Sequence, residues 1–245
     1  MGGELLRVDD LSFTRPAVGN ENGFMLEVPS LTLSRGEAVA VVGPSGCGKS
    51  TLIDLLALLR RPDAVRRFEL LGEDVAALWA RGGADACSAL RAERVGVVLQ
   101  TGGLLPSLTV WENVTLSQQL LDRPDAAWAQ SLLDALDLAR LGRRLPSQLS
   151  IGQRQRVAVA RALAHRPALV LADEPTAALG MDHAGAALDL LLTLTRAADA
   201  ALVVASHDTA LLRARDMPLL DCVSAGSLTR FEPASWARRD SVSPS

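Results

Sequence analysis

The chain has 245 residues, a formal net charge of -3, and 25 basic side chains, of which only Lys49 is a lysine. With 49% hydrophobic and 22% charged residues, the composition excludes a disordered chain, and its acidic balance gives no basis for binding nucleic acid. No apolar run approaches the roughly 18–20 residues of a membrane span, and the first residues lack the features of a secretory signal. We therefore predict a soluble cytoplasmic protein whose three scattered cysteines form neither a disulfide framework nor a zinc site.

Short β-type runs alternate with longer helical patterns, which predicts an α/β fold. Strands are predicted at residues 5–8, 24–28, 38–42, 95–99, 168–172 and 202–205. Helices are predicted at residues 51–59, 110–121, 126–138 and 157–164. The helical stretch from about residue 101 to about residue 166 lies inside the α/β order, so we predict one domain over residues 1–245 with an inserted helical subdomain.

A glycine-rich loop follows the apolar run at residues 38–42. It matches the pattern G-x-x-x-x-G-K-[ST] with Gly43, Pro44, Ser45, Gly46, Cys47, Gly48, Lys49 and Ser50. Between a strand and a helix this pattern is typical of a phosphate-binding loop, whose backbone N–H groups and helix dipole hold phosphate oxygens. We expect Ser50 to bind Mg²⁺ and Thr51 to belong to the same nucleotide site. Lys49 would reach the β- and γ-phosphates, where the planar fork of arginine would not fit.

The apolar run at residues 168–172 ends in two acids, Asp173 and Glu174. A buried strand brings Asp173 to the carboxyl end of a sheet, where open α/β sheets bind ligands. One carboxylate can hold Mg²⁺ while the next polarises an attacking water. Alone, the pair is equally compatible with an ordinary acidic strand end. Together with the loop, it predicts a nucleoside triphosphatase with Asp173 as a metal ligand and Glu174 as the general base.

A third segment, Leu-Ser-Ile-Gly-Gln-Arg-Gln-Arg at residues 149–156, precedes the acidic strand. It resembles the signature motif of the ATP-binding-cassette (ABC) ATPases, and the order of motifs from about residue 5 to 228 is similar to that family. Ser150 resembles a helix N-cap, and a helix beginning near Gly152 presents a positive dipole end that suits a γ-phosphate. The resemblance implies that Ser150, Gly152 and Gln153 bind the ATP of a partner subunit in a head-to-tail homodimer.

The same resemblance assigns two more residues. Gln100, after the strand predicted at residues 95–99, matches the family's Q-loop glutamine, which contacts Mg²⁺ and the attacking water. His207, after the strand predicted at residues 202–205, matches the switch histidine, which contacts the γ-phosphate. The family implies a phosphate-loop NTPase core with an antiparallel β subdomain and an inserted α-helical subdomain, and ATP and Mg²⁺ as cofactors. Residues 108–114 and 171–176 are most similar to the lipoprotein-releasing, macrolide-export and cell-division subgroup.

The resemblance further implies an ATPase subunit that joins integral-membrane permease subunits and lies peripherally on the inner face of the cell membrane. Two alternatives stay open. One is a soluble ABC ATPase without a transporter, and the other is a degenerate cassette that binds ATP with little hydrolysis.

Three positions depart from the family pattern. Arg15 stands where an aromatic residue usually stacks on adenine, and Phe13 lies two residues before it. Because a guanidinium plane can also stack on a base, either residue is a candidate for the adenine contact. Ile151 replaces the first signature glycine, which is tolerable only with a near-helical backbone, since positive φ is costly for a β-branched residue. Gly180 stands where the family's D-loop aspartate is expected.

Overall fold

The structure is a computed structural model that describes residues 4–16, 23–177, 179 and 181–234. In these residues ten strands form one sheet: β1 (Glu4–Arg15), β2 (Phe24–Ser34), β3 (Ala38–Val42), β4 (Arg67–Leu70), β5 (Glu73–Asp74), β6 (Val95–Val98), β7 (Leu169–Asp173), β8 (Ala201–Ser206), β9 (Leu219–Ala225) and β10 (Leu228–Pro233). The α-helices are α1 (Lys49–Leu56), α2 (Val75–Arg94), α3 (Val110–Leu120), α4 (Ala126–Ala135), α5 (Ile151–Leu163), α6 (Met181–Ala197) and α7 (Thr209–Arg213). The sheet order is β5-β4-β1-β2-β10-β9-β3-β8-β7-β6.

One half of the sheet is parallel and holds the core. β9, β3, β8, β7 and β6 run side by side in the same direction. Along β3, Val39 and Val41 pack into one buried cluster with α1, whereas Ala40 and Val42 pack into another with α5 and α6. Helices therefore cover both faces, which explains why these strands are continuous apolar runs.

The other half of the sheet is mainly antiparallel. β1 pairs antiparallel with both β2 and β4. β10 joins the two halves, because it pairs antiparallel with β9 and parallel with β2. The predicted fold class, an α/β core with an antiparallel β part, is confirmed.

The chain between β6 and β7 contains α3, α4 and α5, although those two strands are neighbours in the sheet. α5 returns against the sheet so closely that a Cβ on Gly96 of β6 would lie 2.2 Å from the carbonyl oxygen of Ala162. These helices match the predicted helical stretch, while its bounds as a subdomain, about residues 101–166, stay a prediction. Within the described ranges, no helix combines the length and the apolar character needed to cross a membrane.

Some elements differ from the prediction for local reasons. The helix predicted to end at residue 59 ends at Leu56, because Leu58 takes a positive φ of 56° that an α-helix cannot contain. The helix α2 was not predicted, and its apolar periodicity is interrupted at Gly83, whose φ of 58° and ψ of -142° are non-helical. The strands β4, β5, β9 and β10 were also missed, since each is short or only partly buried.

Candidate functional site

The carboxyl ends of the parallel strands β3, β6, β7 and β8 lie along one edge of the sheet, so the polar residues that follow them meet there. They line a cleft of about 300 Å³. The residues that form its wall are Arg15, Phe24, Ser45, Gly46, Gly48, Lys49, Ser50, Thr51, Gln100, Glu174 and His207. The structure therefore brings together most of the predicted site from four separate strand ends and the β1–β2 hairpin.

The loop between β3 and α1 forms one wall of this cleft. Gly48 has a φ of 104° and precedes α1 without any side-chain hydrogen bond at that cap. A Cβ on Gly48 would also lie 3.1 Å from the ring of Phe24, so only glycine fits here. The first N–H groups of α1 are thus left for a ligand, and the helix dipole favours an anionic one.

Lys49 lies at the inner end of the cleft and is only 6% exposed. Its Nζ atom donates hydrogen bonds to the carbonyl oxygens of Gly43 at 2.8 Å and Pro44 at 3.1 Å. It also lies 3.7 Å from Oε1 of Glu174. Gly43 and Pro44 thus contribute through their backbone from behind the cleft wall, and the ammonium group is fixed between the loop and the acidic strand end.

Glu174 follows β7 in a conformation that few non-glycine residues adopt. Its φ is 47°, a left-handed backbone that costs about 1–3 kcal/mol and tends to occur at functional sites. Its N–H donates to the carbonyl oxygen of Ala205 on β8 at 2.9 Å. Its Oε2 atom lies 2.9 Å from Nδ1 of His207. The strained backbone and both partners hold the carboxylate toward the cleft.

Asp173 lies behind the cleft lining, next to the start of α1. It accepts a hydrogen bond from Ser50, yet burial raises the pKa of its carboxyl above the ordinary value, and the nearby Glu174 carboxylate adds to that effect. Its Oδ1 atom is buried without a hydrogen-bond partner. A buried carboxylate oxygen without a partner beside a serine hydroxyl suits Mg²⁺, which proteins bind through one or two such oxygens together with substrate phosphates. The residues present therefore fit the expected metal.

The hairpin end of the cleft differs from the expectation. Arg15 does line the cleft, but Phe13 does not; its ring packs against the core, with the guanidinium of Arg60 5.9 Å away. The aromatic ring in the cleft is that of Phe24, which pairs with Arg15 across the β1–β2 hairpin. Phe24 opens the predicted second strand, but only the hairpin register shows that it lies opposite Arg15.

The signature segment lies outside this cleft. Ser150 caps α5, accepting from the N–H of Gln153 at 3.2 Å, and the Gln153 side chain accepts from the N–H of Ser150 at 2.9 Å. Gly152 lies against the side chain of Leu179, outside the cleft. Ile151 is the first residue of α5 and 53% exposed, without the positive φ that would strain it. The predicted departure at Gly180 lies outside the described residues.

A family model described as "ABC transporter" matches residues 26–177. That range contains the glycine-rich loop, the signature segment and the acidic pair. The chain belongs to this family. It is an ATP-hydrolysing enzyme and an ATPase subunit of the transporter class, as predicted from the order of its motifs.

Named relatives agree with this family. The chain is 39% identical over 210 residues to the lipoprotein-releasing system ATP-binding protein LolD 1 of Rhodopirellula baltica, covering 84% of this chain and 89% of that protein. It is 37% identical over 219 residues to the uncharacterized ABC transporter ATP-binding protein Rv0986 of Mycobacterium tuberculosis, covering 86% and 84%. The ATP-binding cassette MJ0796, solved as a dimer in a post-hydrolysis state with ADP and Pi, superposes with a TM-score of 0.74 at 29% identity, covering 93% of this chain and 98% of that one. The predicted similarity to the lipoprotein-releasing subgroup is confirmed by the LolD relatives.

Proposed function

We propose that this ATPase binds ATP along the cleft. The triphosphate would lie at the glycine-rich loop between β3 and α1, and the adenine ring at the β1–β2 hairpin. The observation that carries the proposal is the convergence of Lys49, the free N–H groups at the start of α1, and Glu174 in one cleft. The loop supplies positive dipoles and one ammonium group, which suit a triphosphate. The wall that would face the phosphates consists of Ser45, Gly46, Gly48 and Thr51. The rest of the loop would hold this wall in place from outside the cleft, through Gly43, Pro44 and Cys47.

Ser50 and Asp173 are the residues that would hold Mg²⁺, with Gln100 reaching the same ion from the end of β6. When bound, the ion neutralises charge on the phosphate oxygens. The buried Oδ1 atom of Asp173 supports this assignment, because it otherwise lacks a partner.

We assign the general base to Glu174. It would accept a proton from a water as that water attacks the γ-phosphorus, and the bond from phosphorus to the β–γ bridging oxygen would break to release ADP and phosphate. Gln100 and His207 line the same cleft as Glu174. His207 would hold the carboxylate through Nδ1 and contact the γ-phosphate with the remainder of its ring.

The adenine ring of ATP would lie between Arg15 and Phe24, at the hairpin end of the cleft. Phe24 supplies an aromatic face, and a guanidinium plane such as that of Arg15 can also stack on a base. The family's usual aromatic platform would thus be replaced by a residue of the neighbouring strand.

We further propose a head-to-tail homodimer in which Ser150, Gly152 and Gln153 complete the partner's nucleotide site. The position of these residues outside their own cleft supports this arrangement, as do the dimeric forms in which MJ0796 was solved. The capped start of α5 would present its positive dipole end to the partner's γ-phosphate.

The dimer would join integral-membrane permease subunits on the cytoplasmic face of the membrane and drive transport. The support is the name of the LolD relatives, which belong to a lipoprotein-releasing system. Co-purification from detergent-solubilised membranes with the membrane proteins that neighbouring genes encode tests the proposal. Recovery of a dimer that never associates with a membrane protein would favour an ATPase without a transporter.

A further inference from the structure

Two of the cysteines meet behind the phosphate-binding loop. β9 runs parallel to β3 with Asp221 opposite Val42, so Cys222 lies beside Gly43, where the loop begins. The loop then folds back over the same position, and the Cys222 thiol donates a hydrogen bond to the carbonyl oxygen of Cys47 at 3.2 Å. The Cys222 thiol also lies within hydrogen-bond reach of the Cys47 thiol.

Gly43 leaves the space in which the two sulfur atoms meet. A Cβ on Gly43 would lie 2.9 Å from Sγ of Cys47, 3.3 Å from Sγ of Cys222 and 2.6 Å from Cβ of Cys222. Both sulfur atoms therefore face one point, with no side chain between them. A disulfide, whose S–S bond is about 2.05 Å long, would form across the space that Gly43 leaves.

The surroundings also make one of the two thiols reactive. The hydrogen bond from Cys222 and the charge of the Lys49 ammonium lower the pKa of Cys47 to about 7, and the thiolate is the form that reacts with oxidants. Contact with Cys47 and burial raise the pKa of Cys222, which remains the proton donor. The residues are only 6% and 9% exposed, so the oxidant must be as small as hydrogen peroxide.

We propose that Cys47 and Cys222 form a reversible disulfide with hydrogen peroxide, and that this bond blocks ATP binding. The Cys47 thiolate would attack one peroxide oxygen, break the O–O bond and become a sulfenic acid as hydroxide leaves. The sulfur of Cys222 then attacks the Cys47 sulfur, the S–O bond breaks, and water leaves with the proton that Cys222 gives up. Two thiols are oxidised to one disulfide while one peroxide is reduced to two waters, and a dithiol reductant reverses the reaction.

The expected effect on ATP rests on the proposed phosphate-binding role of the loop. Because the S–S bond is shorter than any contact between separate sulfur atoms, it would pull Cys47 toward β9. The neighbouring N–H groups must converge on phosphate oxygens at the same time, and displacements near 1 Å are costly in such sites. We expect the affinity for ATP to fall roughly tenfold or more.

The test uses the full-length chain, reduced and then treated with hydrogen peroxide. Intact mass should fall by about 2 Da through loss of two hydrogens, peptide mapping should show residues 47 and 222 linked, and ATP binding should weaken and recover with dithiothreitol. Cys222→Ala, which lies outside the cleft wall, should bind ATP like the parent before oxidation and show no loss of 2 Da. Cys87→Ala is the matched control and should still form the link.

The other outcomes of this experiment have separate meanings. An unchanged mass, or a Cys47 sulfinic acid with Cys222 still reduced, would overturn the proposed disulfide. A Cys47–Cys222 link with undiminished ATP affinity would overturn its proposed effect. Failure of the reduced parent to bind ATP would instead count against the proposed function of the loop.

Discussion

Oε2 of Glu174 lies 2.9 Å from Nδ1 of His207, so the acid that follows β7 is held by the histidine that follows the adjacent strand β8. The other oxygen of the same carboxylate lies 3.7 Å from Nζ of Lys49. Both carboxylate oxygens thus have a partner, and the left-handed backbone of Glu174 sets the direction in which the side chain leaves the chain. A base fixed in this manner needs little reorganisation when the reaction occurs.

We predict that Glu174→Gln preserves ATP binding but lowers hydrolysis about 10²–10⁴-fold, the usual contribution of a general base. The amide keeps the size of the side chain but loses the negative charge and, with it, the ability to accept a proton. The variant should therefore accumulate as an ATP-bound dimer, measured by light scattering with size-exclusion chromatography. Glu69→Gln, on β4 at the far end of the sheet, is the control. If Glu174→Gln hydrolysed ATP as fast as the parent, a residue other than Glu174 would be the general base.

Lys49→Arg is expected to eliminate ATP hydrolysis although it conserves the charge. Nζ of Lys49 lies between two carbonyl oxygens in a space with 6% exposure, and a planar guanidinium is too wide for that space. Steady-state turnover and ATP affinity measure the effect, with the exposed Arg230→Lys as the control. Near-normal turnover of Lys49→Arg would show that the loop does not depend on a compact ammonium group.

Phe24→Leu is expected to weaken ATP binding, because it removes the aromatic face from the cleft. Stacking of a base on an aromatic ring contributes about 1–3 kcal/mol, which corresponds to roughly a fivefold to hundredfold change in affinity. Phe13→Leu, the same change two strand positions from Arg15, should leave the affinity almost unchanged. Titration of both variants with ATP compares their affinities. A larger loss of affinity in Phe13→Leu than in Phe24→Leu would show that adenine stacks on Phe13.

Asp173→Asn is expected to stabilise the fold while it weakens the Mg²⁺ dependence of ATP binding. Burial raises the pKa of Asp173, so between the unfolded and folded pKa values the folded chain binds more protons, and stability is lost as pH rises through that range. Asparagine removes this loss at pH 7. A gain of about 1 kcal/mol would raise Tm by about 2–4 °C in a chain of this size.

The measurement is thermal unfolding in EDTA without nucleotide, so that no ligand contributes to Tm. Asp85→Asn, an exposed change on α2, should leave Tm unchanged. A lower Tm for Asp173→Asn would mean that the carboxylate supports the fold rather than a ligand.

Asp173 could be predicted from the sequence because it follows an apolar run directly, and parallel strands bind ligands at their carboxyl ends. The glycine-rich loop between a strand and a helix predicts Lys49, whereas His207 is assigned through the resemblance to the ABC family. Phe24 could not be placed, since its position opposite Arg15 depends on the hairpin register. The meeting of Cys47 with Cys222, 175 residues later, depends on the order of strands in the sheet, which no local pattern contains.

The pairing of β10 with β2 also has a consequence for how the chain is made. Residues 228–230 pair with residues 25–27, so this edge of β2 stays unpaired while about 200 further residues are synthesised. At about 5–20 residues per second, that synthesis takes about 10–40 s. An uncovered strand edge can pair with other chains. The N-terminal half of the sheet is therefore completed only after residues 228–230 have left the ribosome, and β10 must reach the edge of β2 before another molecule occupies it.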